Sequence, residues 1–228
     1  MFNLCESVVH ITTMPVNAQN LRVDYQADVL LEKDAPATPT PLFEQWFKEA
    51  KESDDPEPNA MVVATINAAG HPAARTVLLK ETTERGYVFY TNYTSRKGHE
   101  LSDHPHTALV FNWLHQQRSV RIEGRVEKID PDHSTEYFQS RPKKSQIGAW
   151  TSPQSDAIPN REFLDQRKEE VEQRFQNKEV LPRPDHWGGY IVIPHLIEFW
   201  QGRSSRLHDR LVYTRTEGSD WKRERLAP

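Results

Sequence analysis

The chain has 228 residues, one cysteine, 29 lysines and arginines against 33 aspartates and glutamates, and a formal charge of −4. The lone thiol, Cys5, excludes an internal disulfide framework, no run approaches the roughly 20 apolar residues of a membrane helix, and the mildly acidic balance argues against a general polyanion binder. The length fits one large domain with an arm, and with no leader pattern in Met1 to Gln19 the expected compartment is the cytoplasm.

Little apolar periodicity marks the first forty residues, and Ala35 to Pro41 is proline-spaced, so a mobile arm and linker are expected over 1–40 and a folded domain over 41–228. Thr40 offers a cap and Pro41 a first helical position. Leu42, Phe43, Trp46, Phe47 and Ala50 then follow at helical spacing, predicting a helix over 41–52. From Ala60 the texture turns to short β runs: 61–66 and 73–80 about an Asn67–Gly70 turn, then 87–91, 107–113, and 119–129 with a kink at Gly124. Helices are expected near 96–103, 132–140 and 161–176, the last capped by Asn160 with Leu164, Lys168, Val171 and Phe175 on one face. Strands return over 190–194, 197–201, 211–215 and 221–226. Short loops without regular strand–helix alternation indicate a mainly β chain, an antiparallel barrel with peripheral helices.

No dinucleotide or P-loop glycine pattern follows a strand, and no metal-ligand spacing occurs, so the expected metal is none. His104-Pro105-His106 beside Asp103 is better read as a solvated turn. Cys5 lacks an argued base for nucleophilic work.

Four segments carry chemistry. Arg75-Thr76-Val77-Leu78-Leu79-Lys80 places cations on opposite faces of an apolar strand, which must reach solvent, an acid or a ligand. Tyr90-Thr91-Asn92 with Thr94-Ser95-Arg96-Lys97-Gly98 enters a helix and offers hydroxyls, amides and two cations to a phosphate, or simply a capped helix. Tyr137, Arg141 and Ser145 lie four apart, with Pro142 expected to break the helix before Ser145. They could hold a phosphate monoester, or only complement a helix dipole. Glu198 to Arg210 packs Trp200, Arg203, Arg206, His208 and Arg210 around a glycine loop. Arg206 and His208, two apart in extended backbone, would point the same way and could clamp an electron-rich ring.

In this order the strings R-T-V-L-L-K, Y-T-N-Y-T-S-R-K-G, Y-F-Q-S-R-P-K-K-S-Q-I-G-A-W, S-P-Q-S, W-G-G-Y, E-F-W-Q-G-R-S-S-R-L-H-D-R and E-R-L-A-P resemble the pyridoxamine 5′-phosphate oxidase family from about Arg22 to Pro228. The resemblance implies an FMN-binding split β-barrel working as a homodimer, with FMN at the subunit interface. It places Arg75, Thr76, Val77, Leu78, Tyr90, Thr91, Arg96, Lys97, Gln154, Ser155, Trp200 and Arg210 at FMN. Lys80, Tyr137, Arg141 and Ser145 go to the substrate's phosphate, and Arg206, Leu207 and His208 to its ring, with Arg206 and His208 catalytic. Arg22 and Tyr25 resemble an R-x-x-Y element of the arm. Where the family has glutamine before V-R-[VI]-E-G, this chain has Ser119, whose reach is shorter.

The implied reaction is oxidation of pyridoxamine and pyridoxine 5′-phosphates to pyridoxal 5′-phosphate, by hydride transfer from C4′ to flavin N5 with O2 reduced to H2O2. Competing readings are a split-barrel flavin reductase without a second phosphate pocket and a non-catalytic flavin or B6-phosphate carrier. Nucleic-acid binding through Arg141-Pro142-Lys143-Lys144 is opposed by the acidic balance and the absence of a stacking array. Neither nucleic acid nor membrane is expected as a partner.

Overall fold

A computed structural model describes residues 18–21, 23–26, 28–217 and 220–228, so the readings for Cys5 and Arg22 lie outside the described residues. Burial alternates along β1 (Ala60–Ile66) and β5 (His106–Trp113), sending Met61, Val63, Leu109, Phe111 and Trp113 inward. That is the signature of strands with one face on a core. β1 pairs antiparallel with β2 (Pro72–Leu78) across a turn that Gly70 closes at φ +80°, where an L side chain would be strained.

β3 (Glu81–Thr82), β4 (Tyr87–Asn92), β6 (Arg118–Lys128) and β7 (Trp187–Gln201) complete the sheet order β2-β1-β5-β6-β7-β4-β3. β8 (Asp209–Arg215) and β9 (Trp221–Arg225) branch from β7. β2 and β3 stand at opposite ends of this order, yet only Leu79 and Lys80 join them in the chain. The three steps from Leu78 to Glu81 span at most about 10 Å, so the sheet curls until its ends come near each other. The expected antiparallel split barrel is the fold observed.

The interior is filled by Val63, Phe89, Leu109, Phe111, Ile122, Val192, Phe199 and Tyr213, and α1 (Pro39–Glu52) packs on it through Leu42, Phe43, Trp46 and Ala50. Full burial of each large side chain contributes roughly 1.5–3 kcal/mol. Phe43 meets the rings of Tyr87 and Phe111 edge-on at 4.9 and 5.2 Å. A second cluster of Phe138, Ile147, Phe175, Leu181 and Trp187 ties α3 (Pro131–Ser140) and α4 (Lys143–Thr151) to the end of α5 (Arg161–Arg174) and the start of β7. α2 is Arg96–Asp103, and no helix among the described residues is long and apolar enough to cross a membrane.

Four elements depart from expectation. α1 starts at Pro39 with Thr38 as its N-cap, because an earlier proline already supplies the first-turn geometry. Pro142 ends α3, but it also opens the unforeseen α4, where Ser145 N and Gln146 N donate to Pro142 O at 2.8 and 3.1 Å. In α5, Lys168 leaves the packed face to pair with Glu172 at 3.0 Å. The two strands expected about Pro194 are one 15-residue strand: register passes from Glu123↔Leu196 to Gly124↔Pro194, leaving His195 as the extra residue of a bulge. A bulge tolerates a residue without an N–H, and it lies at the kink expected at Gly124.

Candidate functional site

β2, β4, α2 and α4 border a hollow of about 670 Å³. β2 and its exit contribute Arg75, Thr76, Val77, Leu78 and Lys80; β4 contributes Tyr90, Thr91 and Asn92; α2 contributes Lys97. Arg141 enters from the α3–α4 junction, Ser145, Gly148, Ala149 and Ser152 from α4 and its end, and Gln154 and Trp187 close the wall. Four cations and no carboxylate line it.

Local structure explains each cation's state. Lys97 is 8% exposed, and its Nζ donates to Gln154 Oε1 (2.8 Å), Thr91 Oγ1 (3.0 Å) and Ser95 Oγ (3.3 Å). Burial first and Arg75 second pull its pKa down to about 8, with Glu100 opposing. The next residue must be glycine: a Cβ on Gly98 would lie 2.1 Å from Tyr93 O. Ser95 Oγ accepts from Gly98 N, so the helix end expected to cradle phosphate is partly capped by its own serine. Arg75 Nη2 meets Glu100 Oε2 at 2.8 Å, and Arg96 Nε meets Glu100 Oε1 at 2.8 Å. Burial alone would raise the Glu100 carboxyl; hydrogen bonds from Thr65, Arg96 and Arg75 outweigh it and hold the group below its ordinary value.

The Arg141 guanidinium lies 4.7 Å from the Trp187 ring centroid and 5.6 Å from that of Phe138. Its Nη2 donates to Ser145 O at 2.9 Å, while Nη1 is buried without a partner. Burial lowers its pKa from the ordinary guanidinium value, with Tyr137 opposing. Tyr137 stands behind the wall, stacked on Tyr90 at 4.0 Å.

A second hollow, of about 640 Å³, is lined by Leu21, Val23, Asp24, Tyr25, Trp200, Arg203, Ser205, Arg206 and His208. It adjoins one of about 370 Å³, which shares Tyr25 and Trp200 and adds Asn112, Ser119 and Arg121 among others. Neither shares a lining residue with the first hollow. Arg206 reaches its place through a tight turn rather than the extended backbone expected, with φ 54° at Ser205 and 61° at Arg206. Such conformations cost of order 1–3 kcal/mol each. His208 Nδ1 accepts from Arg203 N at 3.0 Å, and the ring lies 4.6 Å from Trp200. Burial first, then Arg206, lowers its pKa from the ordinary imidazole value, and with Nδ1 accepting from Arg203 N the neutral ring carries its proton on Nε2.

The predicted residues therefore divide into two groups on one chain. Several stand outside both hollows. Arg96 turns to Glu100. Ser155 is exposed at φ 79°. Leu207 is 70% exposed, and Arg210 is held by Glu198 at 2.8 and 3.1 Å and by Ala227 O at 2.9 Å. Ser119 lines only the smaller adjoining hollow, from β6 between its cross-strand neighbours Asn112 and Trp200. Sequence reasoning missed Asn92, Gly148, Ala149, Ser152 and Trp187 as wall residues. The spacing 145, 148, 149, 152 is a helical face of small residues, a signal hidden by Pro142.

The split antiparallel barrel carries a carboxylate-free cationic hollow beside one sheet edge, and the family match and the relatives make the chain an FMN-binding split-barrel oxidoreductase. The chain belongs to the pyridoxine/pyridoxamine 5′-phosphate oxidase family: residues 47–175 match the family described as pyridoxamine 5′-phosphate oxidase, and residues 187–228 match the pyridoxine 5′-phosphate oxidase C-terminal dimerisation region. It is 53% identical to the pyridoxine/pyridoxamine 5′-phosphate oxidase of Acaryochloris marina over 92% of this chain and 94% of that protein. It is 53% identical to the one of Burkholderia vietnamiensis over 92% and 98%. Among solved structures, PhzG from Burkholderia lata 383 in complex with tetrahydrophenazine-1-carboxylic acid aligns with TM-score 0.82 and 31% identity, over 89% of this chain and 99% of that one. An FMN-binding protein from Nostoc punctiforme shares the fold, with TM-score 0.67 and 14% identity over 85% and 99%. FMN is the cofactor. The first hollow fits a phosphate-bearing group: its buried lysine has no carboxylate partner and its arginine has an orphaned N–H.

Proposed function

We propose that two copies of this chain join the first hollow of one to the second hollow of the other. The completed site would oxidise pyridoxine 5′-phosphate to pyridoxal 5′-phosphate, and pyridoxamine 5′-phosphate to an imine that water hydrolyses to the same aldehyde and ammonia, with O2 reduced to H2O2. The observation that carries this reading is the first hollow itself, four cations without a carboxylate, with Arg141 Nη1 left without an acceptor. When bound, FMN supplies the acceptor for a hydride leaving substrate C4′ and passes the electrons to O2. Lys97, Thr91 and Arg75 hold the cofactor's phosphate. Lys80, Arg141 and Ser145 hold the substrate's phosphate, with Tyr137 bracing Tyr90 behind them. Two separate anchors orient both rings before reaction and lower its entropic cost. Arg206 covers the pyridine face, and His208 offers the ring a hydrogen-bond donor at Nε2 because Nδ1 is occupied.

The test is anaerobic titration of the flavin-loaded protein with pyridoxamine 5′-phosphate, followed by admission of air. The expected result is bleaching of the visible flavin bands, then return of colour with pyridoxal phosphate and peroxide. Flavin that binds but stays oxidised would refute the reading.

A second reading, oxidation of a carboxylated tricycle of the kind bound in PhzG, is favoured by the structural likeness and by the aromatic walls Tyr25, Trp200 and His208. Turnover of tetrahydrophenazine-1-carboxylic acid that survives Arg141→Ala would select it.

A further inference from the structure

We infer that Trp187 is a positioning residue for substrate phosphate, presenting Arg141 as a held but un-neutralised cation. The inference rests on the proposed seat of that phosphate in the first hollow.

Among the described residues, four other arginines of the predicted site are oriented by acids. Arg75 and Arg96 share Glu100, Arg203 meets Asp209, and Arg210 meets Glu198. A carboxylate that fixes an arginine also competes with phosphate for it. Arg141 is fixed differently: its guanidinium lies over Trp187 at 4.7 Å, with Phe138 at 5.6 Å, and its one hydrogen bond goes to a carbonyl, Ser145 O. An aromatic face attracts the cation and restricts its geometry but leaves its charge and N–H groups for an incoming anion. Nη1, buried and without an acceptor, is the group a phosphoryl oxygen would satisfy.

Trp187 is itself immobilised. It opens β7 opposite Asn92, its N donates to Pro184 O at 3.0 Å, and its O accepts from Arg183 Nη1 at 2.6 Å. The indole is 7% exposed, stacked within 11° of Tyr90 and edge-on to Phe138 at 5.1 Å. A rigid strand end therefore helps set the place of a long side chain, part of whose ordering cost is met before the anion binds.

The experiment compares Trp187→Leu, Trp187→Phe, Arg141→Ala and the Trp187→Leu/Arg141→Ala double variant as FMN-loaded enzymes. KM and kcat for pyridoxamine 5′-phosphate are measured, with FMN affinity from flavin fluorescence. Trp187→Leu is expected to raise KM about tenfold, with kcat and FMN affinity within about twofold. Trp187→Phe retains most of the wild-type KM, and the double variant matches Arg141→Ala alone. Multiplying KM effects in the double variant, or a Trp187→Leu defect confined to kcat or FMN affinity, would overturn the inference. If Trp187→Leu does not fold, Trp187→Met, which also removes the aromatic face, and its double variant with Arg141→Ala give the same comparison. An Arg141→Ala enzyme with unchanged KM removes the underlying phosphate seat and the inference together. A raised KM in Arg141→Ala with no response to Trp187 removes the inference alone.

Discussion

Lys97 shows what a charge buried without a counter-charge does. Its pKa of about 8 lies below the ordinary 10.5, so in the unliganded fold its proton is a burden below pH 8. The burden is relieved as pH rises from 8 to 10.5, where the unfolded chain still holds the proton. A phosphate dianion reverses the balance by favouring the protonated lysine, and phosphate monoesters are already dianionic above about pH 7. FMN should therefore bind progressively more weakly above pH 8, approaching tenfold per pH unit until the bound-state pKa is reached. Lys97→Gln should give weaker but level binding from pH 7.5 to 9.5. Fluorescence titration at each pH measures both. His208 offers a second check. Burial and Arg206 hold it below 6.5, so Arg206→Gln should move the acid limb of kcat/KM upward, toward 6.5, besides lowering turnover. An unmoved limb would mean that the limb belongs to another group.

Among the elements, α2 does more than present Lys97. Its Glu100, 5% exposed, gathers Arg75 from β2, Arg96 from the first turn of α2 and Thr65 from β1. Removing one partner of such a cluster leaves a partly buried guanidinium uncompensated. Glu100→Ala should cost about 3 kcal/mol in urea unfolding, the low end for a broken buried pair because Arg75 borders the open hollow. Its carboxyl is held below its ordinary value of 4.5. The stabilisation is thus complete above pH 4.5 and lost as pH falls through the folded-state value, and this acid sensitivity should vanish in the variant. Element boundaries also show what was readable. α2 was legible to the residue because serine and glycine chemistry marks its start. α4 was not, because a proline that ends one helix and caps the next carries the same local signal as one that ends a helix and opens a loop. β7 was read as two strands because nothing local announces that His195 can bulge and let pairing continue past Pro194.

At the scale of the whole molecule, alternation and turn residues made the barrel legible, and the ordered motifs made most of the hollow-lining residues legible. What no linear reading contained was their separation: Lys80, Lys97 and Arg141 line one hollow, Arg206 and His208 another, with no shared wall. In a two-fold pair two such hollows can face one ligand from different copies, since each copy then offers each half once. The match of residues 187–228 to a dimerisation region supports such a pair, and the pairing makes a quantitative demand. Arg141→Ala spoils the first half-site and Arg206→Ala the second. In a heterodimer of the two variants both lesions fall in one site, and the other site is wild type. Random reassortment of equal amounts makes about half the dimers mixed, each with one good site of two, so activity should return to roughly a quarter of wild type. Mixing, partial denaturation and refolding, followed by assay with pyridoxamine 5′-phosphate, measures the return. Recovery requires halves from different copies. If each chain built its site alone, every chain in the mixture would still carry its own lesion, and activity would stay at the level of the separate variants.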